Sequence, residues 1–220
     1  MTEPSGGSTD KPRRPVVVPA VALVAIAALG ITALLGGLSE ATEEPEALGP
    51  GAVLDQGLYD TKIVASRVTV EKAESQFDKD KRFVELIFDV TNKGDATMAV
   101  GAPVAKPEQA PSRTAFAASL IKITPAFSQE AGPFSFARVK GGESRQLQPG
   151  VPNQVVVRYE LQPSEQPPEK ISFDMSSFVE EEQFLNRIPT WQMDSTEAGD
   201  KVLPVIKARV TLPVEKGEAQ

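Results

Sequence analysis

The sequence predicts an all-β fold, an antiparallel β-sandwich that follows a single N-terminal transmembrane helix. The fold class rests on several segments in which apolar and polar residues alternate with a period of two, as they do in half-buried strands. The 19 prolines and 16 glycines indicate frequent turns and argue against long soluble helices. The transmembrane helix is indicated by a long uncharged run close to the N-terminus.

The uncharged run covers residues 15–38. At about 1.5 Å per residue, a helix of this length crosses a hydrocarbon core of about 30 Å. Lys11, Arg13 and Arg14 precede the run, whereas the segment after it is acidic. The positive-inside bias therefore predicts a cytoplasmic N-terminus and an extracytoplasmic C-terminal part at the cell membrane. A cleaved signal peptide with its site near residues 39–41, or a buried core helix, are the alternatives.

These features divide the chain into four parts. Residues 1–14 are predicted to be a cytoplasmic tail, 15–38 a transmembrane helix, 39–57 an acidic linker and 58–220 the extracytoplasmic sandwich domain. The linker contains a proline and a Gly-Pro-Gly break, which are typical of a tether that holds a folded domain away from a membrane.

The segment from 82 to 92 gives the clearest strand. Its apolar positions Val84, Leu86, Phe88 and Val90 fall on one face. Glu85, Asp89 and Thr91 fall on the other face, which is expected to be exposed to solvent. The segment ends in the sequence NKGD after Asp89-Val90-Thr91, a typical turn.

Three further segments, 155–161, 171–175 and 206–212, alternate in the same way and are also predicted strands. Two weaker candidates cover 58–71 and 115–123, and their register is left open. Residues 180–186 are the one short helical candidate. The predicted core is made of the inward positions of the clear strands: Val84, Leu86, Phe88, Val90, Val157, Tyr159, Leu161, Phe173 and Val210.

Six to nine short strands with turns every 8 to 15 residues indicate a sandwich that is immunoglobulin-like in general plan, without the usual Cys pair. The strand ending FDVTNKGD (88–95) and the turn LQPG (147–150) before the strand VVVRYEL (155–161) resemble small membrane-anchored immunoglobulin-like domains of unknown function from Gram-positive bacteria. The resemblance implies a fold and a cell-surface location, and it supplies no catalytic residues.

Composition excludes several classes of chemistry. The chain contains no cysteine and no histidine, so disulfides, thiol catalysis, Ser-His-Asp triads and ordinary zinc sites are excluded. The net charge of −7 argues against nucleic-acid binding, which needs clustered Lys and Arg. We therefore expect no cofactor, no metal and no nucleic-acid partner.

Two kinds of residue pattern in the sequence could support catalysis. Ser119-Leu120-Ile121-Lys122 matches the S-x-x-K nucleophile motif, but the companion S-D-N and K-T-G elements are absent. Asp78 with Asp80, Asp194 with Asp200, and the glutamates at 180–182 are carboxylate pairs that could support acid–base chemistry or bind calcium. Asp78 with Asp80 is more simply a solvated hairpin tip, and the glutamates at 180–182 are more simply a solvated loop or helix start. We expect the protein not to be an enzyme.

The candidate partner-binding residues are Trp191, Lys207 and Arg209. Trp191 is the only tryptophan and lies in a proline-containing apolar stretch, so it is either a binding anchor or part of the core. Lys207 and Arg209 project from one predicted strand and could join Arg158 of another in a basic stripe, or could simply keep a sheet face wet.

The leading functional hypothesis is an extracytoplasmic protein-binding module, for example an accessory subunit of an envelope complex. It rests on the predicted anchor, the acidic tether and the absence of the usual catalytic side chains. Two alternatives remain: a carboxylate-based hydrolase of cell-wall glycan, and a carrier or sensor of an apolar ligand.

Overall fold

A computed structural model describes residues 44–73, 75–183 and 187–217. The predicted transmembrane helix at 15–38 lies outside these residues. Within them, no helix is both long and apolar enough to cross a membrane.

The described residues form strands joined by turns and by short 3₁₀ helices at Pro107–Gln109, Phe116–Ser119 and Gln129–Ala131. The strands are β1 (Glu46–Leu48), β2 (Val53–Asp55), β3 (Tyr59–Glu71), β4 (Lys81–Asn92), β5 (Met98–Ala99), β6 (Leu120–Thr124), β7 (Phe134–Val139), β8 (Gly142–Ser144), β9 (Gln146–Leu147), β10 (Pro152–Leu161), β11 (Lys170–Ser176), β12 (Phe178–Glu182), β13 (Pro189–Met193), β14 (Ser195–Ala198), β15 (Lys201–Pro204) and β16 (Ile206–Glu215).

The main strands follow the order β6-β11-β16-β3-β4-β10-β7-β8, with β1 beside β16 and β2 beside β3. β16 meets β3 in parallel over only two residue pairs, Val214 with Ser66 and Glu215 with Arg67. This narrow junction separates sheet A (β1, β6, β11 and β16) from sheet B (β2, β3, β4, β7, β8 and β10). Most of the pairing within each sheet is antiparallel.

The inner faces of the two sheets pack against each other and form one hydrophobic core. Phe88 of β4 and Phe173 of β11 meet edge to face, with ring centroids 5.8 Å apart. The protein is therefore a β-sandwich. All of the predicted core residues on β4, β10, β11 and β16 are buried, which confirms the inward face assigned to each of these strands.

A β-bulge in β3 explains why the register of residues 58–71 could not be read from the sequence. The pairing of β3 with β4 shifts between Ile63 and Ala65, so Val64 is an extra residue. A bulge of this kind interrupts the period-two alternation. Residues before and after it therefore point inward at positions of opposite parity, such as Ile63 opposite Phe88 and Ser66 opposite Leu86.

Two expectations differ from the structure. Residues 180–182 were predicted to begin a short helix, but they belong to strand β12, where pairing with β13 satisfies the backbone instead. Residues 184–186 of that candidate lie outside the described residues. The predicted linker 39–57 contains strands β1 and β2, because Leu48 and Leu54 find partners on the two sheets and pack on the core.

A buried polar network ties sheet A to sheet B at the end of the sandwich where β3 begins. The Gln56 amide nitrogen donates to the Ser119 hydroxyl at 3.0 Å and to the Ser176 carbonyl at 2.6 Å. The Thr61 hydroxyl donates to the Gln56 amide oxygen at 2.7 Å. Because a buried polar group is costly unless it is hydrogen-bonded, this network fixes the relative position of β2, β3, β6 and β11.

Because Phe88 is fully buried in the core, truncating it should have a large effect on stability. Phe88→Ala should lower the free energy of unfolding by about 3–5 kcal/mol, because it opens a cavity at the contact between the sheets. Phe77→Ala is the matched control, since the Phe77 side chain is 87% exposed at the tip of the β3–β4 hairpin. Urea denaturation of the two variants measures the difference. Equal stability of both variants would contradict the inward assignment of Phe88.

Candidate functional site

Trp191, the first predicted binding residue, lies on β13 and packs against the hydrophobic core as a partly buried side chain. Two glycines lie close to its indole. A Cβ atom on Gly57 would lie 3.4 Å from the ring, and one on Gly94 would lie 3.7 Å from the indole nitrogen. The Phe178 carbonyl oxygen, only 2.1 Å from such a Cβ atom, is what excludes a side chain at Gly57. Trp191 therefore packs on the core while part of its side chain stays accessible.

Lys207 and Arg209, the other predicted residues, have partners within the domain. The Lys207 ammonium donates to the Asp55 carbonyl at 2.7 Å. The Arg209 Nε donates to Asp174 Oδ1 at 2.8 Å, and the nearby Asp174 carboxylate raises the pKa of Arg209. Arg209 lies on the outer face of sheet A, whereas Arg158 lies on sheet B. Arg158 and Arg209 therefore do not form the basic stripe that the sequence suggested, because they lie on the outer faces of different sheets.

The loop beside Lys207 is held by a second lysine. The Lys93 ammonium donates to the Asp55 carboxylate at 2.8 Å and lies 3.3 Å from the Asp60 carboxylate. The Lys93 hydrogen bond and the Gly57 backbone N–H lower the pKa of Asp55. Trp191 and Lys207 thus both lie beside the Asp55–Gly57 turn, and Lys207 and Lys93 hold that turn by hydrogen bonds.

A different surface, on the outer side of sheet B, gathers charged groups around a buried carboxylate. The Glu85 residue is only 3% exposed, although the sequence predicted it to be wet. Its Oε2 atom accepts hydrogen bonds from Arg67 Nε and Nη2, both at 3.3 Å, and from Arg138 Nη2 at 3.2 Å. Two arginines on β3 and β7 therefore share one carboxylate of β4.

Strand pairing explains this arrangement. Arg67 lies opposite Glu85, Glu85 lies opposite Arg158, and Arg158 lies opposite Phe134, which makes one row across β3, β4, β10 and β7. Because the bulge at Val64 changes the parity of β3, it brings Arg67 to the outer face opposite Glu85. We name the set Arg67, Glu85, Phe134, Arg138 and Arg158 the arginine face.

Aromatic rings support Arg158 in this face. Its guanidinium carbon lies 4.4 Å from the centroid of the Phe83 ring and 5.2 Å from that of Phe136, both within the range of a cation–π interaction. Arg158 also forms an ion pair with Glu71. The Arg158 Nε atom is buried and has no hydrogen-bond partner among the described residues.

A cavity of about 620 Å³ adjoins the arginine face. β8 pairs with β7 only over Ala137–Val139, so residues 134–136 of β7 have no strand partner on that side within the described chain. The residues that line the cavity include Phe134, Ser135, Phe136, Glu143, Arg145 and Arg158.

The catalytic motifs are not assembled into a site. The Ser119 hydroxyl is buried and donates to the Phe116 carbonyl, and Lys122 is exposed on β6. Asp80 pairs with Lys72, and Asp78 accepts from the Ser75 hydroxyl in the β3–β4 hairpin. The described residues contain no group of three or more acidic side chains that could hold a metal ion.

The arginine face was missed because its members come from four strands, but one signal was readable. Glu85 lies between Phe83 and Ile87 at the outward positions of β4, and both neighbours are large and apolar. Apolar residues on both sides of an outward charge indicate a covered face, where the charge needs a partner. The sequence does not tell which cations supply it.

No family model matches the chain, and no curated protein matches it. Among solved structures, the chain is similar to an uncharacterized β-sandwich protein from Clostridium difficile 630. The identity is 8%, the match covers 63% of this chain and 93% of that chain, and the TM-score is 0.39. The assignment as a sandwich therefore rests on the strand pairing and core packing described above.

The shared carboxylate predicts an asymmetric response to mutation. Arg67→Ala combined with Arg138→Ala should lower the free energy of unfolding by about 3–5 kcal/mol, because the Glu85 carboxylate stays buried without a cation. Glu85→Gln should be milder, since the Arg67 and Arg138 side chains are 29% and 38% exposed and can be hydrated.

Urea denaturation of both variants tests this order. A third variant, in which Glu85→Leu is added to the arginine pair, should recover part of the loss because it removes the buried charge. The opposite order of stabilities, or no recovery in the third variant, would mean that Glu85 is not held by these two arginines.

Proposed function

We propose that this protein is a membrane-anchored, extracytoplasmic module that binds another protein through the arginine face. In this proposal residues 15–38 span the cell membrane, the N-terminus is cytoplasmic, and an immunoglobulin-like sandwich is presented outside a Gram-positive cell. The anchor and its orientation are supported by the length of the uncharged run and by the basic residues before it. The binding role is supported by the composition and geometry of the arginine face.

The observation that carries the binding role is the convergence of Arg67 and Arg138 on one buried carboxylate, next to Arg158 and an exposed Phe134. Both guanidinium groups are held by the same carboxylate, and Glu71 and Glu143 lie close by, so arginine and glutamate alternate on this face. Arginine and aromatic side chains are enriched at the centres of protein–protein interfaces. Arginines that are already fixed by ion pairs and rings lose less conformational freedom on binding.

A protein partner fits this surface better than a polyanion. The chain carries a net charge of −7, and Glu71, Glu85 and Glu143 lie among the arginines. Binding of a phosphate polymer requires clustered Lys and Arg side chains whose charges are not neutralised by neighbouring carboxylates. A mixed surface of arginine, glutamate and phenylalanine is suited to a partner with matched charges and an apolar contact.

The partner test uses Phe134, whose side chain is 46% exposed on the arginine face and lies outside the buried core. Phe134→Asp should reduce co-purification of membrane proteins with the full-length chain by at least about tenfold, which corresponds to about 1.4 kcal/mol. The melting temperature should stay the same. Phe77→Asp, another exposed phenylalanine, is the control and should retain the partner. Equal recovery with both variants would contradict the proposal.

The membrane anchor makes a separate prediction. The full-length protein should sediment with membranes, and protease added outside intact cells should remove the sandwich, because the positive-inside bias orients it outward. A variant with the basic residues Lys11, Arg13 and Arg14 changed to Glu should lose this orientation. Recovery of a mature protein from the medium that begins near Thr42 would instead identify residues 15–38 as a cleaved signal sequence.

A further inference from the structure

A cavity and an exposed aromatic ring lie side by side next to the arginine face. The cavity has a volume of about 620 Å³, and its wall includes the apolar residues Ala99, Ala102 and Phe136. Phe134 also lines this cavity, and its side chain is exposed. An exposed aromatic side chain beside a concave surface is typical of a protein–protein contact, because interface energy concentrates on aromatic anchors that fill pockets.

Two charged side chains of the same wall have no partner within the described chain. Glu143 of β8 and Arg145, which follows β8, are both exposed, and neither side chain forms a hydrogen bond or an ion pair with another described residue. Glu143 lies opposite Arg138 in the pairing of β8 with β7. The Arg138 guanidinium, however, donates to Glu85 and Gln154. The wall therefore presents one unpaired anion and one unpaired cation.

These two charges restrict the kind of partner that fits. A ligand that carries only an anion is repelled by Glu143, and one that carries only a cation is repelled by Arg145. A partner with one charge of each sign, at a matching spacing, satisfies both. A second copy of this chain carries that same pair. When two identical surfaces meet about a two-fold axis, each contact from Glu143 to Arg145 occurs twice, once in each direction.

The neighbouring arginine face permits such a contact, because carboxylates are interspersed among its guanidinium groups. Glu85 pairs with Arg67 and Arg138, and Glu71 pairs with Arg158. Two copies of a face with a single sign of charge repel each other, whereas two copies of a mixed face can meet with arginine opposite glutamate.

We infer that this side of sheet B binds a second copy of the same chain about a two-fold axis. Glu143 of each copy faces Arg145 of the other, and Phe134 of each copy covers the cavity of the other. The inference deepens the proposed function, because it rests on a protein partner at the arginine face and names that partner.

The test co-expresses two full-length copies with different affinity tags, purifies through one tag and measures recovery of the other. Wild-type copies should co-purify. Phe134→Asp in both copies should lower the recovery by at least about tenfold, because it removes the ring that covers each cavity. Phe77→Asp in both copies is the matched control and should retain the second copy, since Phe77 is exposed between β3 and β4, away from this cavity.

Charge reversal identifies the residues in contact. Glu143→Arg in both copies, or Arg145→Glu in both copies, should each lower the recovery by at least about tenfold, because like charges then face each other twice. One copy with Glu143→Arg and the other with Arg145→Glu should restore it, since each contact again joins opposite charges. Restoration also shows that both variants fold. Arg113→Glu in both copies, at an exposed arginine outside the cavity, is the control and should change nothing.

Three results would overturn the inference: no co-purification of wild-type copies, undiminished recovery with the reversed charges, and no restoration in the mixed pair. The outcome is separable from that of the partner test. If Phe134→Asp loses other membrane proteins while tagged copies do not associate, the arginine face binds a different protein, and only this inference fails. If neither the second copy nor any other membrane protein depends on Phe134, the proposed binding face itself is wrong.

Discussion

Edge-to-face packing of aromatic rings in the core is the interaction on which the rest of the structure depends. Phe88 of sheet B contacts Phe173 of sheet A and Phe116 of the 3₁₀ helix before β6, and Tyr59 of sheet B contacts Phe116 and Phe178 of β12, at centroid distances of 5.3 to 5.8 Å. Such pairs contribute about 0.5–1.5 kcal/mol each beyond the burial of their area. With no cysteine in the chain, apolar packing of this kind and the Gln56 network hold the sheets together.

Because the inner faces of the sheets are firmly packed, the outer face of sheet B can bury a charge even though its desolvation costs free energy. Glu85 is buried on the outer side of sheet B, where ion pairing offsets its desolvation without adding much net stability. An apolar residue at this position would serve folding as well or better. What the ion pairs provide is orientation: Arg67 and Arg138 are fixed by one carboxylate, and Arg158 is fixed by Glu71 and two rings.

The limits of sequence-based prediction follow from which interactions are local. The inward faces of β4, β10, β11 and β16 could be read because period-two alternation is a local property that burial enforces. The bulge at Val64 hid the register of β3, and short strands such as β12 and β13 were missed because their residues alternate weakly.

The arginine face could not be predicted, because it depends on which strands are neighbours in the sheet, and no spacing in the sequence reports that. Trp191 was noticed for its chemistry, but its packing between Gly57 and Gly94 is set by the fold.

The position of β16 in the strand order determines when the domain can finish folding. This strand is the last one in the described chain, yet it lies between β11 and β3, inside the strand order. Until it is available, β11 lacks its main antiparallel neighbour, and sheets A and B lack their junction through Val214 and Ser66. Folding dominated by such long-range pairing is slow, and unpaired edges are prone to aggregate. A chain that lacks residues 206–215 therefore cannot complete the sandwich, and assembly of the two sheets waits until this strand is available.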